Sequence, residues 1–328
     1  MKVLMLSHSD VKKLLPLSEC IPLMAEALIS FAKGKSQQPV RTIFRPPEAL
    51  GLMGLMPSYR SDVRPVFGLK AVCVFPGNPA RGKDAHQGAV MLFSAETGEL
   101  MAIENASAIT AIRTAAVSAV ATDRLARRDA RVLAIIGAGI QGRAHLEAIS
   151  QVRNLTDVRV ADKMMERTQN FVDEMGPRYP FPIRPMKSLE AAVSGAAIVV
   201  TVTNSSEPVV RRDWIATGTH INAVGACIPS AREIDSRTVA ASKLFVDKRE
   251  SILQESGDYL LALKDGAIGA DHIKGEIGEL LIGAKPGRES EEEITLFKSL
   301  GLAVEDLAAA EYVYRKAQEK NLGTEVEF

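Results

Sequence analysis

The stretch RVLAIIGAGIQGRAH, residues 131–145, decides the fold. Its first half, RVLAIIG, reads as a buried strand, and IQGRAHLEAISQV reads as the helix that follows. Between them Gly137, Gly139 and Gly142 satisfy the pattern G-x-G-x-x-G. Three glycines in six residues are a weak signal alone and fit an ordinary βα turn or another nucleotide site equally well. Their context strengthens them. The motif follows a predicted strand and opens a predicted helix, and Asp162 ends the next strand, VRVAD, 20 residues after Gly142. Gly137 permits the tight turn, Gly139 lets the backbone approach a pyrophosphate, and Gly142 lets helix pack on strand. The helix N-terminus then offers unpaired N–H groups and a positive dipole end to phosphate. A carboxylate at Asp162 accepts from ribose hydroxyls and repels a 2′-phosphate. NAD(H) is therefore the favoured cofactor. Lys163 and Arg167 lie close enough to soften the argument, so NADP(H) stays open.

Downstream, apolar runs alternate with helical patterns: VRVAD, a helix near MMERTQNFVDEM, a short helix in SLEAAVSG, then strands AAIVVTVT, HINAVGA and KLFVD. Near-continuous apolar strands between helices imply a parallel sheet covered on both faces. The fold class is α/β, a Rossmann doubly wound parallel sheet over residues 116–303. Upstream the character differs. SECIPLMAEALISFAKG reads as a helix with Ser18 as N-cap, an apolar stripe of Ile21, Met24, Ala25 and Leu28, and Gly34 just past its end. Residues 40–104 alternate short apolar runs with Pro, Gly and Asn turns, and SAETGELMAIE reads as a hairpin around Thr97 and Gly98. This predicts an antiparallel sheet. AVEDLAAAEYVYRKAQEK reads as an amphipathic helix with Val304, Leu307, Ala308 and Tyr312 on its apolar side. A helix placed there can rejoin the N-terminal part, giving an α+β domain of residues 1–115 plus 304–328 and a helical link near 106–128.

Composition narrows the function classes. In 328 residues, 40 Lys and Arg offset 40 Asp and Glu, so no net field favours nucleic acid or an anionic membrane. Three widely spaced cysteines without a CxxC pair argue against a disulfide framework and fit a reducing compartment. No run approaches the roughly 18 apolar residues of a membrane helix. A cytoplasmic protein is expected. The five histidines lack metal-ligand spacing, no metal is assigned, and His86 reads as structural.

Two charges stand alone in apolar company. Lys70 is the only one in VFGLKAVCVF, and Arg113 the only one in ASAITAIRTAAVSAVAT. An unpaired buried cation is expensive, so each needs an anion or an exposed edge. For Lys70 the plain alternative is the exposed face of a half-buried strand, and for Arg113 a structural salt bridge or domain contact. Arg41, in PVRTIF, has less to mark it. The functional reading joins the three. Two guanidiniums clamp a carboxylate, and a desolvated lysine near other cations exchanges protons near neutral pH.

The segments GLMPSY, LKAV, ITAIRTAAVSAVAT, IIGAGIQGRAH, TVTNSSEPV, HINAVGA, ESGD and LFKSLGLAVEDLAAA together resemble the ornithine cyclodeaminase/μ-crystallin family, over nearly the whole chain. The resemblance implies a homodimer built by the N-terminal domain, completed by the C-terminal helix, and a Rossmann domain carrying the cofactor. It puts Arg41 and Lys70 on the substrate and Arg113 between substrate and cofactor. Ile140, Gln141, Asp162, Thr203, Val224, Gly225 and Ser299 would contact the dinucleotide alongside the three glycines. Two positions depart from the pattern. Cys227 stands where the cyclodeaminases carry a catalytic aspartate, which speaks against ornithine cyclisation. Ala89 stands where the family often has a threonine near the cofactor phosphates. The expected function is an NAD(P)H-dependent reductase of small imino acids, or the reverse amino-acid dehydrogenase. The partner is then a small carboxylate-bearing imine or amino acid. A cyclodeaminase releasing ammonia and a non-catalytic cofactor-binding protein are the alternatives.

Overall fold

The structure is a computed structural model that describes residues 2–62 and 64–328. In chain order its strands are β1 (Lys2–Leu6), β2 (Ser36–Gln37), β3 (Thr42–Phe44), β4 (Leu52–Arg60), β5 (Val66–Val74), β6 (His86–Ser94), β7 (Leu100–Asn105), β8 (Val132–Ile136), β9 (Asp157–Ala161), β10 (Ile183–Pro185), β11 (Ile198–Thr201), β12 (His220–Ala223), β13 (Ser242–Val246), β14 (Ile273–Glu276), β15 (Ile294–Lys298) and β16 (Thr324–Glu327). The helices are α1 (His8–Leu14), α2 (Leu17–Ala32), α3 (Ala106–Leu125), α4 (Ile140–Val152), α5 (Met165–Met175), α6 (Leu189–Val193), α7 (Ser236–Ala241), α8 (Arg249–Glu255), α9 (Gly257–Lys264), α10 (Ile277–Leu281) and α11 (Ala303–Lys320). The chain divides into two compact units, Met1–Thr114 with Gly301–Phe328, and Ala115–Leu300.

The first unit is a sheet in the order β16-β1-β7-β6-β5-β4-β2, with β3 also paired to β4. β4 to β7 form an antiparallel meander whose β6–β7 turn places Gly98 at φ +75°, a left-handed position that glycine adopts freely. The antiparallel sheet expected over residues 40–104 is present, and a strand from outside that stretch extends it. β1 joins β7 in parallel, because the chain crosses over from β1 through α1 and α2 before the meander begins. Burial in β5 alternates, with Val66, Gly68, Lys70 and Val72 facing inward. On that face the missing side chain of Gly68 leaves room for Leu307 of α11, and α2 packs beside α11. The other face stays apolar and open. Phe44, Met53 and Phe67 are exposed there, and Tyr59 and Phe67 pack ring on ring at 4.8 Å. Helix α2 starts one residue before Ser18. Pro16 is its N-cap, with its ring-fixed φ of −66° in an extended conformation, so Ser18 lies inside the first turn. The buried stripe is accordingly Leu17, Cys20, Met24, Ala27 and Leu28.

The second unit is one all-parallel sheet, β10-β9-β8-β11-β12-β15-β13-β14, flanked by helices. This is the doubly wound Rossmann arrangement, and strand order reverses between β8 and β11. The central strands are buried along almost their whole length, which explains why they read as apolar runs and not as alternating ones. Among the described residues no single helix is long and apolar enough to cross a membrane.

Candidate active site

In the second unit the glycine loop adopts the geometry its spacing predicted. Gly137 sits at φ +112°, and a side chain there would meet the Val202 carbonyl oxygen at 2.7 Å. A side chain at Gly142 would fall on the Gly137 carbonyl, so helix and turn pack backbone to backbone. Gly139, the N-cap of α4, faces open space. Asp162 leaves β9 beside this loop, and its carboxylate accepts from the backbone N–H groups of Ala138 (2.9 Å) and Met164 (3.1 Å). These bonds orient the carboxylate and leave lone pairs for ribose hydroxyls. Ile140 is half exposed in the first turn of α4, while the Gln141 Oε1 is buried without a hydrogen-bond partner in the structure.

The remaining residues expected at the cofactor cluster at the same edge of the sheet. Thr203 follows β11, Val224 and Gly225 follow β12, and Ser299 follows β15, all at carboxyl ends of parallel strands, where open α/β sheets bind ligands. Ser299 is buried and its Oγ is also orphaned. Two orphaned polar atoms, an open Gly139 and an oriented carboxylate fit a bound dinucleotide. One residue the sequence did not flag ties these loops together. Glu233, fully buried, accepts from the Thr201 hydroxyl, the Thr203 N–H and hydroxyl, and the Gly225 N–H. Gly225 has no room for a side chain because the Thr203 backbone lies where a Cβ would be. Beneath the same loops Lys298 is paired with Asp258 at 2.9 Å and donates to the Ala226 carbonyl. Burial pushes the Lys298 pKa down, but Asp258, Cys227 and Glu233 outweigh it and leave it above the ordinary value. Cys227, in place of the family's aspartate, donates to the Val224 carbonyl at 3.4 Å. Lys298 carries the signature that singled out Lys70, one charge in an apolar strand, ITLFK.

The three cations lie in the first unit. Lys70 is only 4% exposed, so its strand does not turn it to solvent, and the exposed-face alternative is overturned. Its Nζ pairs with Asp306 at 2.6 Å. Arg113, equally buried, reaches the other oxygen of the same carboxylate through Nε (2.9 Å) and Glu305 through Nη1 (2.7 Å). Glu305 and Asp306 occupy the first turn of α11, where the positive end of the helix dipole favours carboxylates, and Glu305 also accepts from the Leu302 N–H. The turn before that helix is part of the site. Gly301 sits at φ +78°, its carbonyl accepts from Arg41 at 2.8 Å, and the guanidinium of Arg113 fills the space a side chain would need. Burial pushes the Lys70 pKa down to about 8; Asp306 opposes this, and Arg113 and Arg41 add to it. Asp306 is pushed up by burial, but Arg113 and Lys70 hold it below the usual carboxylate range.

His86, on β6, keeps solvent-accessible surface, yet burial by surrounding protein, then the charges of Lys70 and Arg113, lower its pKa. It therefore borders the cation cluster, which its sequence context did not show. His145 and His220 are buried and pushed by desolvation to about 4 and about 3, so both are neutral. Ala89 sits on β6 opposite Ala71 and Asn105. Among the described residues no group of three or more His, Cys, Asp or Glu could hold a metal ion.

The comparisons agree with this architecture. A model of the ornithine cyclodeaminase/mu-crystallin family matches residues 1–321. A Delta(1)-pyrroline-2-carboxylate reductase of Bacillus cereus is 38% identical over 327 residues, 99% of this chain and 100% of that protein. The structure of the Thermococcus litoralis Delta(1)-pyrroline-2-carboxylate reductase in complex with NADH and L-proline superposes with a TM-score of 0.96 at 40% identity. It covers 99% of this chain and 100% of its own. An archaeal alanine dehydrogenase dimer with bound NAD gives 0.94 at 34% identity, covering 100% of both chains. Whole-length matches of this kind leave one assignment: the chain belongs to the ornithine cyclodeaminase/mu-crystallin family.

Proposed function

We propose that the protein is an NAD(P)H-dependent oxidoreductase that reduces the C=N bond of a small cyclic α-imino acid, a five-membered ketimine carboxylate before others. The observation that carries the reading is Lys70, buried and held near pKa 8 between Asp306 and two arginines. A group poised there gives up a proton at neutral pH and recovers it. A dihydronicotinamide held by the glycine loop would supply the hydride. Arg41 and Arg113 hold the substrate carboxylate, a planar pairing that guanidinium suits better than ammonium. As hydride reaches the imine carbon, the Lys70 ammonium gives its proton to the imine nitrogen. The C=N bond becomes CH–NH, and neutral Lys70 is reprotonated from water. Asp162 favours NADH over NADPH, since its carboxylate would accept from ribose hydroxyls and repel a 2′-phosphate.

Cys227 opposes the cyclodeaminase reading, because a thiol does not replace the carboxylate that ornithine chemistry needs. The likeness to the archaeal alanine dehydrogenase favours an open-chain imine, that of pyruvate, as the second reading. NADH consumption by the purified protein separates them. Turnover is expected with Δ1-pyrroline-2-carboxylate at a kcat/KM at least tenfold above pyruvate with ammonia, and higher with NADH than NADPH. Ammonia release from ornithine, or silence on every imine with cofactor bound, would overturn the assignment.

The open apolar sheet face is where a second copy of the chain docks. Phe44, Met53 and Phe67 are too many exposed apolar side chains on one face for a solvated surface, and the alanine dehydrogenase relative is a dimer. Light scattering should find a dimer. Phe67→Arg should yield monomers with the fold retained, whereas a wild-type monomer would rule the interface out.

A further inference from the structure

We propose that Asp306 is the positioning residue of the reduction: one carboxylate, shared between Lys70 and Arg113, keeps the lysine charged and fixes its angle to the substrate-binding guanidinium. The inference rests on the reading of Lys70 as proton donor. Its two oxygens serve different cations, Oδ2 for Lys70 and Oδ1 for the Arg113 Nε, so the carboxylate plane sets their relative placement. The carboxylate is itself rigid. It is 1% exposed and stands in the first turn of an 18-residue helix.

The groups facing Lys70 make Asp306 decisive for its charge. From α3 comes Arg113, from the segment before β3 comes Arg41, and from β6 comes His86, which burial and these cations hold below the ordinary imidazole pKa. From α11 come Asp306 and Glu305, and Glu305 pairs with Arg113, not with Lys70. Asp306 is thus the anion that opposes desolvation and neighbouring cations. Without it both drive the proton off Lys70, and the donor is depleted from neutral pH upward. A helix that merely braced the sheet would need no carboxylate at this point, since Met or Leu would fill the volume at lower desolvation cost.

The test is the pH profile of kcat for cyclic ketimine reduction at saturating NADH. In the wild type the rate falls above about pH 8, as Lys70 deprotonates. In Asp306→Asn that limb should move toward acid by about one pH unit or more, the size of effect an adjacent opposite charge exerts. Activity at pH 8 then drops about fivefold or more and is partly regained near pH 6. Asp306→Glu should restore the limb at reduced rate. Glu305→Gln should lower the rate with the limb in place. An Asp306→Asn enzyme slowed equally at every pH would overturn the proposal while leaving Lys70 as donor. Full turnover by Lys70→Met would instead remove the reading beneath it. Should Asp306→Asn fail to fold, the wild-type protein labelled with [ε-13C]lysine decides. A Lys70 resonance titrating near 8 agrees with Asp306 holding its charge against burial, and one titrating below 7 contradicts it.

Discussion

Lys70→Met should reduce kcat/KM for the cyclic ketimine by roughly 10²–10⁴, the range a positioned general acid contributes, while NADH binding measured by fluorescence is retained. Methionine keeps much of the buried volume, and Asp306 keeps its bond to Arg113, so the carboxylate is not stranded. The residues proposed to hold the cofactor lie on loops of the other unit, which separates loss of chemistry from loss of binding. The pH dependence follows from the same group. Reduction needs the protonated lysine, so the forward rate falls as pH rises through about 8, and oxidation of the amino acid, which needs the free base, rises over that window. Unchanged turnover in Lys70→Met would place the proton source elsewhere, with the neighbouring His86 the next residue to test.

Gly301→Ala should cost nearly as much for a different reason. A side chain there would lie 2.7 Å from Arg113 Nη2 and 3.0 Å from its Cζ. The tip of an arginine ordinarily swings aside cheaply. Here it cannot, because Glu305 and Asp306 hold it in a buried site, and moving it breaks two buried ion pairs at once. The positive φ of 78° adds about 1 kcal/mol of backbone strain for any L side chain. The expected result is a fall of at least 100-fold in kcat/KM, mostly in KM for the imine, with melting lowered by several degrees. Wild-type kinetics would show that the guanidinium is free to relocate, and with it that the clamp is not preset.

How much of this was legible in advance depended on whether the signal was local. The Rossmann unit announces itself because its strands are buried on both faces and its phosphate turn requires glycine at Gly137 and Gly142, so pattern and spacing lie within a few dozen residues. Lys70 and Arg113 stood out by the same logic, since a charge in an apolar run must be answered somewhere. Their answers could not be read. Glu305 and Asp306 lie 192 and 193 positions from Arg113, at the start of a helix whose acids look like an ordinary solvated face. Both are buried, because the first turns of α11 pack on the sheet's inner face and only its later turns reach solvent. Glu233 is hidden for the same reason: a lone acid in a loop acquires four donors only once β11 and β12 lie side by side. Sequence alone thus determined the doubly wound fold, the phosphate loop and which cations needed anions, all consequences of short-range periodicity and of the cost of burying charge. Only the tertiary structure decided which anions those were, and hence the protonation and direction of Lys70, because that depends on a contact between the first third of the chain and its last helix.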